Sequence, residues 1–473
     1  MRVLNLAHVI QQSQYRSMFP SESHINLCNP LLSPSFVARR IGIEKAQAQL
    51  AALFGLYLWD HIDGKETRNL ASRYKPFPVP NEDDSYFIDS DVSIVVPTVD
   101  WDENLTRNLL TWLACTPREV IFVTTERLRE KLQSDLDRVP AIWDAIKDTH
   151  TSILVITVQE ANKRIQLCRG INKATGQIIA LVDDDARWTT DQVMNQLLAP
   201  FEDEQVGLVG GPIGSYVPEE RRDPKVITPW EVAALRIRQR RGPGMAAFFA
   251  ADGSTNFTIS GLTMFVRATI VKDPYFQYCF TYDLWGGVRQ NTGDDSFITR
   301  YVLFQHLLPR KSGWRSPRQP WKLGIQLTPQ AEVQTSIMTD NRFAAQSKRW
   351  YRSGLRLRLT CLLQQPGFLS MYKTTPYMAR KMCGGMINPI LTAIRLYLWC
   401  CIWLKFPLIA TIWFLYVLYN WYSSLLGFYR QFPYCGSKIW AAMIADNLYL
   451  VSDIYSYLTL SVESWSNRSS VRG

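Results

Sequence analysis

Paired cysteine spacing is missing from this 473-residue chain: its nine cysteines are scattered and no C-x-x-C pair occurs. That excludes a spacing-defined disulfide framework or a structural zinc site and suits a reducing compartment. Histidine is scarce, with five residues and no H-E-x-x-H, which argues against a His-based zinc enzyme. The N-terminus, MRVLNLAHVIQQSQYRSMF, lacks the uninterrupted apolar core of a secretion signal. The sequons at Asn104, Asn256 and Asn467 therefore read as chance matches in cytosolic segments. A basic stripe and an aromatic–basic RNA-binding motif are also absent, so the net charge of +10 does not read as nucleic-acid binding. It points to an anionic membrane face or a phosphorylated small substrate.

Apolar residues, by contrast, are plentiful at 47%, ample for a sizeable core in two or three units. Residues 1–75 form an N-terminal region whose apolar stretch AQAQLAALFGLYLW (46–59) is short of the ~20 residues a bilayer needs. A partial span, an interfacial helix and a core helix all fit it. RYKPFPVPNEDDS (73–85) reads as a proline-broken polar linker and marks a boundary.

Residues 76–365 then alternate strand and helix. DVSIVVPTV (91–99), REVIFVTTE (118–126), SILVITV (152–158) and IIALVDDD (178–185) are β-rich runs separated by helix-period segments. Such alternation predicts βαβ units and a mostly parallel α/β sheet. Ligands bind such sheets beyond the carboxyl ends of the strands, where Thr98, Asp100, Glu126, Asp183 and Asp185 would gather. Residues 366–473 change character: 384–404, 406–428 and 438–460 are candidate spans. The first is interrupted by Arg395 and the third by Asp446 and Asp453, which would line a polar path, pair between helices, or lie at the interface.

Three constellations carry chemistry. In VDDDA, Asp183 and Asp185 would lean toward one Mg²⁺ or Mn²⁺, with Asp184 turned to the other side if the two-residue strand period persists. In NTGDDSFITR (291–300), Asp294 and Asp295 open a helical stretch, as caps or as a general base. In QSKRW (346–350), Arg349 suits a pyrophosphate and Trp350 offers a flat face for a sugar ring. With Lys163 and Arg164 of ANKRIQLC (161–168), these parts imply a metal–diphosphate ligand.

The order VVPTVD, ANKR, VDDDA, TGDDSFITR, QSKRW, followed by apolar segments, resembles the processive membrane polysaccharide synthases of glycosyltransferase family 2, of the hyaluronan synthase-like and fungal capsule type. The resemblance covers roughly residues 75–470. It implies a GT-A-like catalytic domain with C-terminal transmembrane and interfacial helices, a UDP-sugar donor, a polysaccharide acceptor and Mg²⁺ or Mn²⁺ as cofactor. It places the chain in a membrane, multi-pass, with the catalytic domain on the cytosolic side of the plasma membrane. By the same resemblance Asp183 and Asp185 hold the metal, and Asp295 is the base, with Asp294 standing for the family's Glu. Gln346, Arg349 and Trp350 then contact the diphosphate and the acceptor end, while Lys163 and Arg164 contact the nucleotide. Thr98 and Glu126 fall where uridine is held, although Asp is commoner than Glu at the second position. Ser260 and Gly261 of TISGLTMFVR (258–267) form the turn of an acceptor-side wall, and WEVAALRIRQRR (230–241) looks like an interfacial stretch. Trp465 and Arg468 of VESWSNR match a gating loop in which Ser466 replaces glycine. The implied activity is inverting transfer onto a growing extracellular polysaccharide that is then translocated. A non-processive lipid-linked sugar transferase and a non-catalytic scaffold are the alternatives.

Overall fold

The computed structural model describes residues 34–80, 86–101, 103–239, 241–309 and 319–462. Four β-branched runs become the central strands: β1 (Val92–Pro97), β2 (Glu119–Thr125), β3 (Ser152–Val158) and β4 (Ile178–Val182). Val, Ile and Phe fit a sheet buried on both faces, and β1 and β4 are buried along their whole length. Helices α1 (Pro34–Ala71), α2 (Glu103–Leu113), α3 (Glu126–Asp137) and α4 (Lys163–Lys173) accompany them, the last three forming the crossovers. Pro140 starts a separate short helix, Pro140–Ile146, because it cannot donate to the preceding turn.

After β4 the chain makes a tight turn into β5 (Ala186–Trp188), then continues through β6 (Val206–Gly210), β7 (Ile213–Tyr216) and β8 (Thr263–Arg267). A small hairpin, β9 (Leu284–Trp285) and β10 (Val288–Arg289), precedes β11 (Lys322–Ile325) and β12 (Val333–Ser336). The main sheet runs β11-β6-β8-β4-β1-β2-β3. Every pairing is parallel except those of β8 with β4 and β6. A second sheet, β5-β12-β7, stands beside the end of β4. The main core fills both faces of the large sheet, from Val95 and Phe280 on one side to Trp112, Trp188 and Phe265 on the other.

Five further helices of ten or more residues matter for the site: α5 (Pro229–Gln239), α6 (Arg241–Asp252), α7 (Asp294–Phe304), α8 (Arg342–Leu363) and the long α9 (Pro376–Lys405). Two more, α10 (Pro407–Gln431) and α11 (Ile439–Leu458), close the described chain. Among the described residues one helix, α9, is long and apolar enough to cross a membrane. The other two expected spans form helices of a different character. Tyr, Trp and Asn side chains dilute the apolar content of α10. In α11, Asp446 meets Arg236 of α5 in a two-pronged buried pair at 2.9 and 2.8 Å. Arg395 pairs with Asp60 of α1 at 2.8 Å. Both ionisable groups are thus neutralised by other helices. The stretch 230–241, expected at an interface, is instead packed: α5 buries Val232, Ala234, Leu235, Arg236 and Arg238.

Residues 46–59 lie within α1, where Leu53 packs on Leu398 and Ile402 while Phe54, Leu58 and Trp59 remain exposed. The segment expected as a free linker is pinned at its start. Tyr74 donates its hydroxyl to the Ile325 carbonyl at 2.7 Å, and the Phe77 backbone exchanges two bonds of 2.9 Å with the Gln326 side chain.

Candidate active site

The carboxyl ends of β1 and β4 open into a cavity of about 510 Å³. Asp183, Asp184 and Asp185 all line it, because the strand does not continue past Val182. The Asp183 carbonyl accepts from Ala186 N at 3.0 Å, closing a turn that throws all three acids to one side. Asp184 is therefore no bystander, and the assumed strand period fails at that point. Its carboxylate accepts from the Thr98 hydroxyl at 2.8 Å, and its carbonyl from Asn108 at 3.1 Å. Asp185 accepts from Thr335 of β12 at 2.9 Å.

Across the cavity, the left-handed Gly293 (φ +67°) turns the chain into α7, with Asp294 and Asp295 in its first turn. Carboxylates there complement the helix dipole, while the N-cap itself is Gly293, with no side-chain cap. Asn162 caps α4 by accepting from the backbone of Arg164 and Ile165, which puts Lys163 at the first helical position. Lys163 Nζ reaches Asp183 Oδ1 at 2.7 Å and Asp294 Oδ2 at 2.8 Å, bridging the two acidic clusters. Burial alone would lower its pKa, but Asp183 and Asp294 outweigh that and hold it above the usual lysine range. Burial pushes Asp183 up to about 7, against the pull of Lys163 and with added repulsion from Asp185 and Asp294. Asp295 is raised too, by burial and then by Asp294. Asp294 is lowered, because Lys163 and Arg164 overcome its burial. Asp295 accepts from Ser296 N at 2.7 Å and, more weakly, from Gly261 N at 3.4 Å. Any side chain at Gly261 would press on this cluster, since a Cβ there would stand 3.3 Å from that of Asp295 and 3.5 Å from Lys163 Nζ. Ser260 lines the same wall.

QSKRW lies on α8, where Gln346, Arg349 and Trp350 share one face at helical spacing. All three line the cavity. The structure thus gathers Thr98, Lys163, Asp183, Asp185, Ser260, Gly261, Asp294, Asp295, Gln346, Arg349 and Trp350 around one space.

Two expected site residues are placed elsewhere. Arg164 is 2% exposed and bonds the carbonyls of Phe280 (2.7 Å) and Thr292 (2.9 Å) and the carboxylate of Asp283 (3.1 Å). Consecutive helical residues diverge by about 100°, so when Lys163 enters the cavity its neighbour enters the core. Glu126 is exposed at the start of α3, where it accepts from Thr157, and it does not line the cavity. Trp465 and Arg468 lie outside the described residues.

Sequence reasoning missed three arginines that line the cavity: Arg238, Arg241 and Arg358. Arg238 stands over the Trp350 ring, 5.5 Å from its centre, and bonds Ser215 at 3.1 Å. Burial and the charge of Arg241 lower its pKa to about 10, while Asp185 opposes them. For Arg238 and Arg241 the signal was the basic run RIRQRR, which reads equally well as a surface feature; Arg358 had none.

Among the described residues, no three His, Cys, Asp or Glu side chains form a metal-binding group. A hard divalent ion needs no such trio when one or two carboxylates and substrate phosphates hold it. Asp183 and Asp185 offer oxygen donors on one turn, facing a cavity with cationic walls. The residues present therefore fit a divalent ion that arrives with a diphosphate.

An acidic turn at a strand end, a carboxylate pair on a facing helix and arginines between them define a class of enzyme handling anionic donors. Residues 90–352 match the family described as glycosyltransferase like family 2. The chain is 35% identical over 423 residues to the NDP-glycosyltransferase ltbB of Aspergillus luteorubrus, covering 88% of this chain and 97% of that relative. It is 32% identical to a Type 2 glycosyltransferase of Zymoseptoria tritici, across 60% of this chain and about half (53%) of that protein. Among solved structures, the mannosyltransferase PcManGT from Pyrobaculum calidifontis, in complex with GDP-Man and Mn²⁺, shares the fold over 88% of this chain and 98% of its own. Its TM-score is 0.53 at 16% identity. The chain belongs to glycosyltransferase family 2, and its fold is GT-A-like.

Proposed function

We propose that this glycosyltransferase transfers a sugar, with inversion, from a UDP-sugar to an acceptor hydroxyl at a membrane surface, extending a saccharide chain. One observation carries the reading: the Asp183–Asp185 turn, Asp295, Arg349 and Trp350 border a single cavity. A divalent ion, Mg²⁺ or Mn²⁺ held by Asp183 and Asp185, supplies Lewis-acid stabilisation to the leaving diphosphate when bound. Arg349 offers a planar, two-pronged cation to the same phosphates. Asp295 takes the proton of the attacking hydroxyl, and its raised pKa brings it nearer to the working range of a base than an ordinary aspartate. Trp350 supplies an apolar face for the acceptor sugar, with Arg238 across its other side. Gln346 borders the same space.

Membrane attachment is supported by the apolar α9 and by exposed apolar side chains on α1 and α10, such as Leu58, Trp59, Leu408, Ile412 and Leu415. A single transfer to a lipid-borne acceptor is the second reading. It is favoured by the pairing of Asp446 with Arg236 and of Arg395 with Asp60, which leaves these groups engaged rather than lining a polymer path.

UDP release from a panel of UDP-sugars by the purified chain, with and without Mn²⁺, tests the donor assignment. Asp295→Asn should lower transfer by roughly 10²–10⁴-fold while UDP still binds. Turnover retained in that variant would remove Asp295 as the base. Product length on a gel separates polymer extension from single transfer.

A further inference from the structure

Beyond Trp350 the cavity-lining stripe of α8 continues through Ser353, Gly354 and Leu357 to Arg358. At 1.5 Å per residue, Arg358 lies about 12 Å further along the helix. Its guanidinium lies face-on to Gly385 of the apolar helix α9. A Cβ at Gly385 would come within 3.2 Å of Cζ and 3.3 Å of both Nε and Nη1. On another side stands the ring of Phe257, 5.1 Å away, whose own backbone is held at φ +71°. That is a costly conformation for a bulky residue.

Among the described residues, this guanidinium makes only poor hydrogen bonds. Nη1 approaches the Gly385 carbonyl at only 3.5 Å, and Nε is buried with no partner among the described residues. An unmet buried N–H is expensive, the more so on a charged group. Asp453 of α11 offsets part of the charge, and Tyr351 and Tyr457 also face it. Arg241 projects into the same cavity from the start of α6, within the field of Asp295 and Tyr351. Two guanidinium groups thus line the cavity that Asp295 also borders, and Arg358 is set beyond Trp350 along α8.

We infer that this end of the cavity binds an anionic group, phosphate or carboxylate, carried by the acceptor close to its attacking hydroxyl, with Arg358 and Arg241 as its ligands. The inference rests on Asp295 marking the position of that hydroxyl. The anion has two sources of the same chemistry: an amphiphile whose apolar tail follows α9, or a soluble acidic saccharide.

The test measures binding to the full chain in neutral-lipid nanodiscs with UDP–Mn²⁺ at saturation, so that the donor end is filled. The probes are decyl phosphate, glucose 6-phosphate and decyl glucoside. Both phosphate probes, or decyl phosphate alone, should bind at least about tenfold more tightly than decyl glucoside, as expected for charge-assisted bonds. Decyl phosphate well ahead of glucose 6-phosphate identifies the amphiphile; comparable affinities identify the acidic saccharide. Arg358→Met should weaken phosphate binding by about tenfold or more, Arg358→Lys should lose less, and Gly385→Val should act like Arg358→Met by displacing the guanidinium. Equal or tighter binding of decyl glucoside to the wild-type chain would overturn the proposal, with no variant needed. So would phosphate binding that neither Arg358→Met nor Gly385→Val changes. UDP–Mn²⁺ binding, measured first on the wild-type chain, tests the donor reading separately, and its persistence in Arg358→Met places the anion site away from the donor.

Discussion

Lys163 is the cation on which the two acidic clusters balance. It touches Asp183 and Asp294 at once, with its side chain 21% exposed. Removing it leaves a partly exposed carboxylate, Asp183, and a buried one, Asp294, without the cation between them. Lys163→Met should therefore destabilise the chain by about 1–3 kcal/mol, less than a fully buried pair because solvent reaches the site. A thermal melt should show the loss, and added Mn²⁺ should recover part of it by replacing the missing charge. A melt unchanged by the substitution would mean that the bridge contributes nothing to the fold. The neighbouring Arg164 shows the limit of reading a dipeptide as a unit. ANKR announces two cations, but only the helix cap at Asn162 decides which one faces the cavity. Asp184 makes the same point in reverse: assigning it to the far side required the strand to continue, and the turn closed by Ala186 was not visible in three identical letters.

The strands were legible because each is a short β-branched run, and Thr98, Asp183 and Asp185 gathered where the βαβ pattern puts them, while Asp100 and Glu126 stayed outside the cavity. QSKRW was legible only through its resemblance; its placement on a helix, where positions 346, 349 and 350 share a face, came from the fold. What an amphipathic helix packs against is not written in its period. WEVAALRIRQRR has an apolar face that suits a bilayer surface equally well, and the fold instead docks it on α11. That docking centres on Arg236, 3% exposed in its side chain, and Asp446, 6% exposed. Arg236→Met should cost about 3–5 kcal/mol, because it strands a buried carboxylate. Pairing it with Asp446→Asn should restore part of that loss, as a double-mutant cycle would record. Additive losses would show that the two side chains do not act together.

Taken as one molecule, the chain places its acidic turn and cationic walls on one side of a mixed sheet and its apolar helices at the chain's C-terminal end. Proposed attachment to a membrane predicts that the protein remains in the membrane fraction after washes in high salt and alkaline carbonate, because burial of apolar area is insensitive to screening. Release by salt alone would reduce the attachment to surface electrostatics. Proposed metal dependence predicts that chelation abolishes transfer while leaving the melt of the ligand-free chain nearly unchanged, since Lys163 already neutralises the acids. Calorimetry with and without chelator reads this directly. The ordered motifs pointed to a sugar transferase, which the family match bears out. Donor identity was beyond reach, because pocket shape depends on side chains from α5, α6 and α8 that meet only in the folded chain.

Docking of α11 also gives the last described residues a structural task. Arg352 and Arg356 of α8 hold the backbone carbonyls of Leu460 and Val462 at 2.5–3.0 Å. The same α8 carries Trp350, and α5 carries Arg238. Deleting residues from 439 onward would thus be surgery on the support of a cavity wall rather than the trimming of a tail.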